Sequence, residues 1–266
     1  MSAALIAAGC LAVAGGWRAS LVEADIRRLD RAGAGGRAYR PELGWTDAAL
    51  LTLRRRWAWA GLVASGGIVA SLAVPSARAI VWPLCAITIA IWVCRDARLH
   101  HGRYTSVCIG TLAAGVALAS VSVDAGGLLG CVAASQLYLV AGIRKLRSRA
   151  FMSGRVLLDN VVYGACQAAA GNGEFLRCVS TKRLAAELER GALLRACRVA
   201  SIATAASELA VGAAAIGLTP AWLMFAIAIP MHLGFTLLSP KRLIPFTFAS
   251  LGLLSLATVH PLLDVW

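Results

Sequence analysis

Few side chains in this sequence could move a proton inside an apolar environment, and each interrupts or borders an apolar run. Lys145 follows SQLYLVAGIR, Glu208 lies in ASELAVGAAAIGL, and His232 lies in MHLGFTLL, two residues after Pro230. Gln136 leads the run that ends at Lys145, and His100 and His101 precede RYTSVCIG. An amine, a carboxylate and imidazoles are the groups that general acid–base catalysis uses. Ionisable groups are costly in hydrocarbon, so each one must pair, change protonation state or face a polar cavity. Glu208, at the middle of its run, is the hardest to read as structural. Lys145 equally suits an amine that snorkels to an interface. His232 equally suits a partner for the carbonyl that Pro230 frees, and the histidine pair suits an interfacial position. Gln136 precedes Lys145 by nine residues, about two and a half helical turns, so the two do not share a face.

The elements that position these groups are membrane helices. Hydrophobic residues make up 59% of the 266-residue chain and charged ones 15%, with a mean hydropathy of +0.73. Soluble domains run near half apolar and a quarter charged. The apolar residues fall into long, nearly charge-free blocks, and a block of roughly 17–25 residues crosses a hydrocarbon core. Eight blocks qualify as spans: about 3–17, 57–74, 79–94, 104–123, 125–143, 196–218, 221–239 and 243–260. The expected fold is an all-α integral membrane protein with about eight transmembrane helices in one bundle, a single domain over residues 1–266. The first and third spans are short. A signal peptide is the rival reading of residues 1–17, although no basic region precedes the apolar stretch.

Charge distribution orients this bundle. With eight spans, 25 of the 26 lysines and arginines fall on one side, mostly in the polar segments 18–56 and 144–195. The positive-inside rule makes that side cytoplasmic and places both termini outside, in a multi-pass protein of the cell membrane. Basic loops over anionic lipid account for the net charge of +13 without a nucleic-acid partner, and membrane lipid is the expected contact. Residues 23–33 read as a helical continuation of the first span. The second span is expected to start after Arg54, Arg55 and Arg56 and to close at Pro75, with a tight turn at residues 76–78. Residues 155–171, with Asp159, Asn160 and Gln167, suit an interfacial or re-entrant helix. Asn172–Cys178 reads as a loop, and TKRLAAELERGALLRAC after it as a surface amphipathic helix. The eight cysteines form no CxxC pair and have no histidine at zinc spacing, so neither a disulfide nor a metal site is expected.

Residues 136–154, QLYLVAGIRKLRSRAFMSG, resemble the signature of the vitamin K-dependent gamma-carboxylase-like superfamily, also called the HTTM domain. There a glutamine-led apolar helix runs into A-G-x-x-K-L, followed by an aromatic residue and a glycine. The matching positions are Gln136, Ala141, Gly142, Lys145, Leu146, Phe151 and Gly154. His232 and Phe246 in MHLGFTLLSPKRLIPF match a later helix of the family, Glu208 falls where an acidic residue is frequent, and His101 in LHHGRY matches a histidine-bearing helix start. The likeness covers about residues 99–255.

The resemblance implies that Lys145 is the base that deprotonates a reduced quinone. An amine in that role must first shed its own proton, which an apolar pocket favours. It implies that His101 stabilises charge developing on the oxygenated quinone or its product anion. A pocket between helices, open to the lipid, is the implied site. Two features depart from the family. Phe151 stands where a tryptophan is usual, and the sequence has no large soluble domain for a protein substrate, so protein carboxylation is not expected. Lys145 also falls on the side expected to be cytoplasmic, whereas the carboxylase acts on exported protein.

Three readings follow from these residues. The first is a membrane enzyme in which Lys145, His101, Glu208 and His232 act on a lipophilic quinone or isoprenoid, with Gln136 and Phe151 lining the pocket; a reduced quinone is the candidate cofactor. The second is a terpene cyclase: Arg144, Arg147, Arg149 and Arg155 would hold a prenyl diphosphate, with Mg, while Glu208 or Asp159 protonates or steers the chain. No DDxxD-type metal motif accompanies that set. The third is a non-enzymatic peptide-maturation factor that works with a partner protein. A transporter also fits polar residues at mid-span.

Overall fold

The computed structural model describes residues 2–31, 47–99, 103–173, 175 and 180–259. His100 and His101 lie outside them, as does part of the expected loop after Asn172. Every regular element among the described residues is helical. In chain order they are α1 (Ser2–Arg31), α2 (Asp47–Leu72), α3 (Arg78–Leu99), α4 (Arg103–Val121), α5 (Val123–Arg147), α6 (Arg149–Met152), α7 (Arg155–Ala169), α8 (Thr181–Glu189), α9 (Ala192–Ala215), α10 (Ala221–Leu238) and α11 (Ile244–Ala257). The eight apolar blocks fall on α1–α5 and α9–α11. Five of these helices, α1, α3, α4, α5 and α10, are long and apolar enough to cross a membrane. The protein is membrane-embedded and all-α over the described residues.

Local chemistry sets the breaks. Ser122 caps α5, its hydroxyl accepting from the Ala125 amide at 3.3 Å, with Asp124 in the first turn and Arg144, Lys145 and Arg147 in the last; both ends complement the helix dipole. The Ser148 hydroxyl then accepts from the Phe151 amide at 3.2 Å and starts α6. Gly154, at φ 83°, turns the chain into α7 through backbone space that side-chain-bearing residues rarely enter. The helix expected over residues 155–171 is α7, and the continuation of the first span reaches Arg31.

Helix α2 begins at Asp47, so Arg54–Arg56 lie within it, ahead of the apolar stretch expected to span; arginine is a good helix former and does not end a helix. One expected boundary is corrected. The amphipathic segment after Thr181 does not run on to Cys197. It ends at Glu189, because Gly191 takes φ 64°, and LLRAC belongs to α9.

One core, with Leu11, Ile68, Ile89, Trp92, Ile109, Leu112 and Leu254 at its centre, joins α1–α4 to α5 and α11. The α5–α9 seam is close. A Cβ on Gly142 would sit 2.8 Å from Leu209 Cγ, and one on Gly212 would sit 2.6 Å from Leu139 Cγ. The Cys131 thiol donates to the Ala215 carbonyl at 2.9 Å. These pairings run in opposite directions along the two helices, which are therefore antiparallel. Small residues that let backbones approach are how helices associate where lipid is as apolar as leucine. That approach brings the two polar faces together.

Candidate active site

On α5, Tyr138, Gly142 and Lys145 recur at intervals of four and three residues, which places them on one helical face. Ala205, Glu208 and Gly212 do the same on α9. Gly142 packs against Ala205 and Leu209, so the face carrying Lys145 meets the face carrying Glu208. Helical side chains lean toward the N-terminus of their own helix. Lys145 therefore reaches back into the bundle, and its Nζ donates to Glu208 Oε1 as a direct ion pair. The Glu208 side chain is 6% exposed and that of Lys145 23%. This lysine turns inward, away from the interface that snorkelling would seek.

An aromatic wall surrounds the ammonium. Lys145 Nζ lies 5.3 Å from the centre of the Phe151 ring and 5.0 Å from that of Phe235, within the range of a cation–π contact. Phe151 is held there by Leu157 and Cys197. Phe235 also packs edge-on against the His232 ring, with centroids 6.2 Å apart, so one phenyl ring touches both polar pairs. His232 is 2% exposed. Its Nε2 is 2.6 Å from the Tyr138 hydroxyl, and Phe246 flanks the ring at 6.0 Å. The Thr236 hydroxyl donates to the His232 carbonyl at 2.9 Å. The imidazole thus serves Tyr138.

Two atoms in this cluster have no hydrogen-bond partner among the described residues: Glu208 Oε2 and His232 Nδ1, both fully buried. A buried polar atom without a hydrogen bond costs free energy comparable to the bond it lacks. With the Tyr138 phenol as donor to Nε2, the ring proton sits on Nδ1 and points an unused N–H into the cluster. The arrangement offers a free carboxylate oxygen, an ammonium already hydrogen-bonded to that carboxylate, and a free imidazole group, all within an aromatic enclosure. It can pass a proton between Lys145 and Glu208 and bind a small polar head.

Of the residues singled out in the sequence, Lys145, Glu208, His232 and Phe151 come together here, with Phe246 beside them. Gln136, Asp159 and the four arginines do not join them, and His101 lies outside the described residues. Gln136 is exposed on the outer side of α5, and Asp159 is exposed on α7. Arg144, Arg147, Arg149 and Arg155 are exposed and make no hydrogen bond or ion pair to the cluster through their side chains. Sequence reasoning missed Tyr138 and Phe235. Tyr138 carries a usable signal, seven residues before Lys145 and so on its face. Phe235 carries a weaker one, three residues after His232. No protein-family model, curated protein or solved structure matches the chain.

Proposed function

We propose that this protein is an integral-membrane enzyme that does lysine-centred acid–base chemistry on a lipophilic quinone or isoprenoid substrate. The supporting observation is the Lys145–Glu208 pair, buried beside Tyr138–His232 with an unpartnered acceptor and an unpartnered imidazole nitrogen. A buried ion pair offsets its desolvation cost only when its remaining lone pairs are also satisfied. Here one carboxylate oxygen is left over, where a substrate hydroxyl or carbonyl would complete the set.

The pair works as a unit in this reading. Proton transfer from Nζ to Glu208 leaves a neutral amine beside a carboxylic acid. The amine then takes the proton of a substrate O–H or activated C–H, and His232 Nδ1–H donates to the oxygen on which charge develops. Phe151, Phe235 and Phe246 exclude water and accept a flat or unsaturated group. The resemblance of residues 136–154 to the gamma-carboxylase-like superfamily points the same way for Lys145. Ammonium and carboxylate together carry no net charge, which favours an uncharged head over a prenyl diphosphate. In the proposed arrangement α2, α9 and α11 lie in the bilayer with α1, α3, α4, α5 and α10, and the basic end faces the cytoplasm.

Mass spectrometry of lipids that co-purify with the wild type, Lys145→Ala and Glu208→Gln tests this. A quinone or isoprenoid that is retained by the wild type and accumulates or changes chemically in the variants is expected. Bulk phospholipid alone in all three would overturn the enzyme reading and favour a role exercised with a partner protein.

A further inference from the structure

Outside the acid–base cluster, a group of exposed arginines lies where α6 and α7 meet the start of α9. A Cβ on Gly154 would collide with the Arg198 backbone nitrogen, so the α6–α7 corner lies directly on α9 at that residue. Arg155 and Arg198 therefore leave neighbouring stretches of backbone, with Arg149 one short turn earlier and Arg195 one turn along α9. All four are exposed, and none takes part in an ion pair among the described residues. Asp159, exposed one turn after Arg155 on the same face of α7, is the opposing carboxylate there. Glu187 on the adjacent α8 is engaged by Arg190 at 3.8 Å.

The face of α9 that carries these arginines continues as apolar surface. Arg195, Arg198, Val199 and Ile202 are spaced by three, one and three residues, which is a single helical stripe. Val199 is 68% exposed and Ile202 45%. Cations at the helix end followed by bare aliphatic surface further in match an anionic head with acyl chains below it. A soluble anion would have no use for the apolar part. Arginines at the membrane surface attract anionic lipid headgroups.

We propose that the α6–α7 corner and the outer stripe of α9 form a seat for an anionic phospholipid, with Arg149, Arg155, Arg195 and Arg198 on its phosphate and Val199 and Ile202 along a chain. This assignment does not depend on the chemistry of the Lys145–Glu208 site.

The experiment is native mass spectrometry of the full chain, released from phosphatidylcholine nanodiscs made with and without phosphatidylglycerol. The double variants Arg195→Gln/Arg198→Gln and Lys182→Gln/Arg183→Gln are compared, each removing two exposed charges. The wild type is expected to keep phosphatidylglycerol adducts over phosphatidylcholine. The α9 variant should lose that preference by roughly tenfold or more, and the α8 variant should keep it. Equal losses in both variants would show only diffuse attraction and overturn the site. Displacement of the adduct by farnesyl diphosphate, but not by dodecylphosphocholine, would overturn it in favour of a diphosphate ligand. Because all the substituted side chains are exposed, a change in size-exclusion profile is not expected.

Discussion

Glu23 and Glu208 are both buried glutamates on long helices, 6% and 5% exposed, each with one carboxylate oxygen paired and the other unpartnered. They differ in what pairs with them. Glu23 Oε1 is approached by Arg55 at 3.3 Å and Arg27 at 3.6 Å, whose side chains are 44% and 59% exposed. Those guanidinium groups stay in contact with the surroundings, and two of them share one oxygen. Among the described residues Glu208 has a single partner, Lys145, 23% exposed and enclosed by Phe151 and Phe235. The first arrangement anchors a helix end against its neighbour and is redundant. The second isolates one proton donor and one acceptor from water, with no substitute for either. Isolation of that kind strengthens electrostatic interactions and is what acid–base chemistry in a bilayer requires.

The contrast can be broken by removing one cation from each site. Lys145→Ala leaves Glu208 buried without a counter-charge and should cost about 3–5 kcal/mol, read from denaturation in detergent. Arg55→Gln leaves Arg27 in place and should cost less than about 1 kcal/mol. Equal losses would erase the distinction. The double change Lys145→Met with Glu208→Leu sharpens it. Replacing a buried pair by apolar side chains of similar volume should recover stability to within about 1 kcal/mol of wild type, while conversion of the bound lipid stays absent.

Smaller effects are expected from the seam that brings the polar faces together. Gly142→Ala forces a methyl against Leu209 and the Ala205 carbonyl, the latter 3.2 Å away, and should destabilise by about 1–3 kcal/mol. Gly234→Ala, on α10 with open space around the position, should be neutral or stabilise by up to about 1 kcal/mol. Thermal unfolding of the two variants side by side distinguishes a close helix contact from general intolerance of glycine replacement. Tyr138→Phe removes the hydroxyl from His232 Nε2 and leaves a second imidazole nitrogen unpaired, at a cost of about 1–3 kcal/mol. A greater loss of lipid conversion than of stability would assign Tyr138 to holding the imidazole for chemistry.

Much of the helical framework was legible in the residues. Long apolar blocks, Pro75, Gly154 and the serine caps all act over a few residues, so their effects can be read locally. Arg54–Arg56 mark where the apolar stretch of α2 begins and not where the helix does, because arginine is a good helix former. The arginines around Lys145 drew attention by density alone, yet the structure leaves them outside the cluster. Tyr138 went unnoticed because a tyrosine in an apolar run is ordinary until something polar faces it.

By itself the sequence determined that the chain is helical and membrane-embedded, where several of its helices break, and which residues share a face along each one. Those properties depend on side-chain volume, hydration and the 3.6-residue period, all of which act locally. Only the tertiary structure decided that Lys145 meets Glu208, 63 residues away, and that Tyr138 meets His232, 94 residues away. Periodicity orients a face without naming the helix it meets; that choice rests on how closely glycine and alanine let particular backbones approach, as at Gly142 and Gly212.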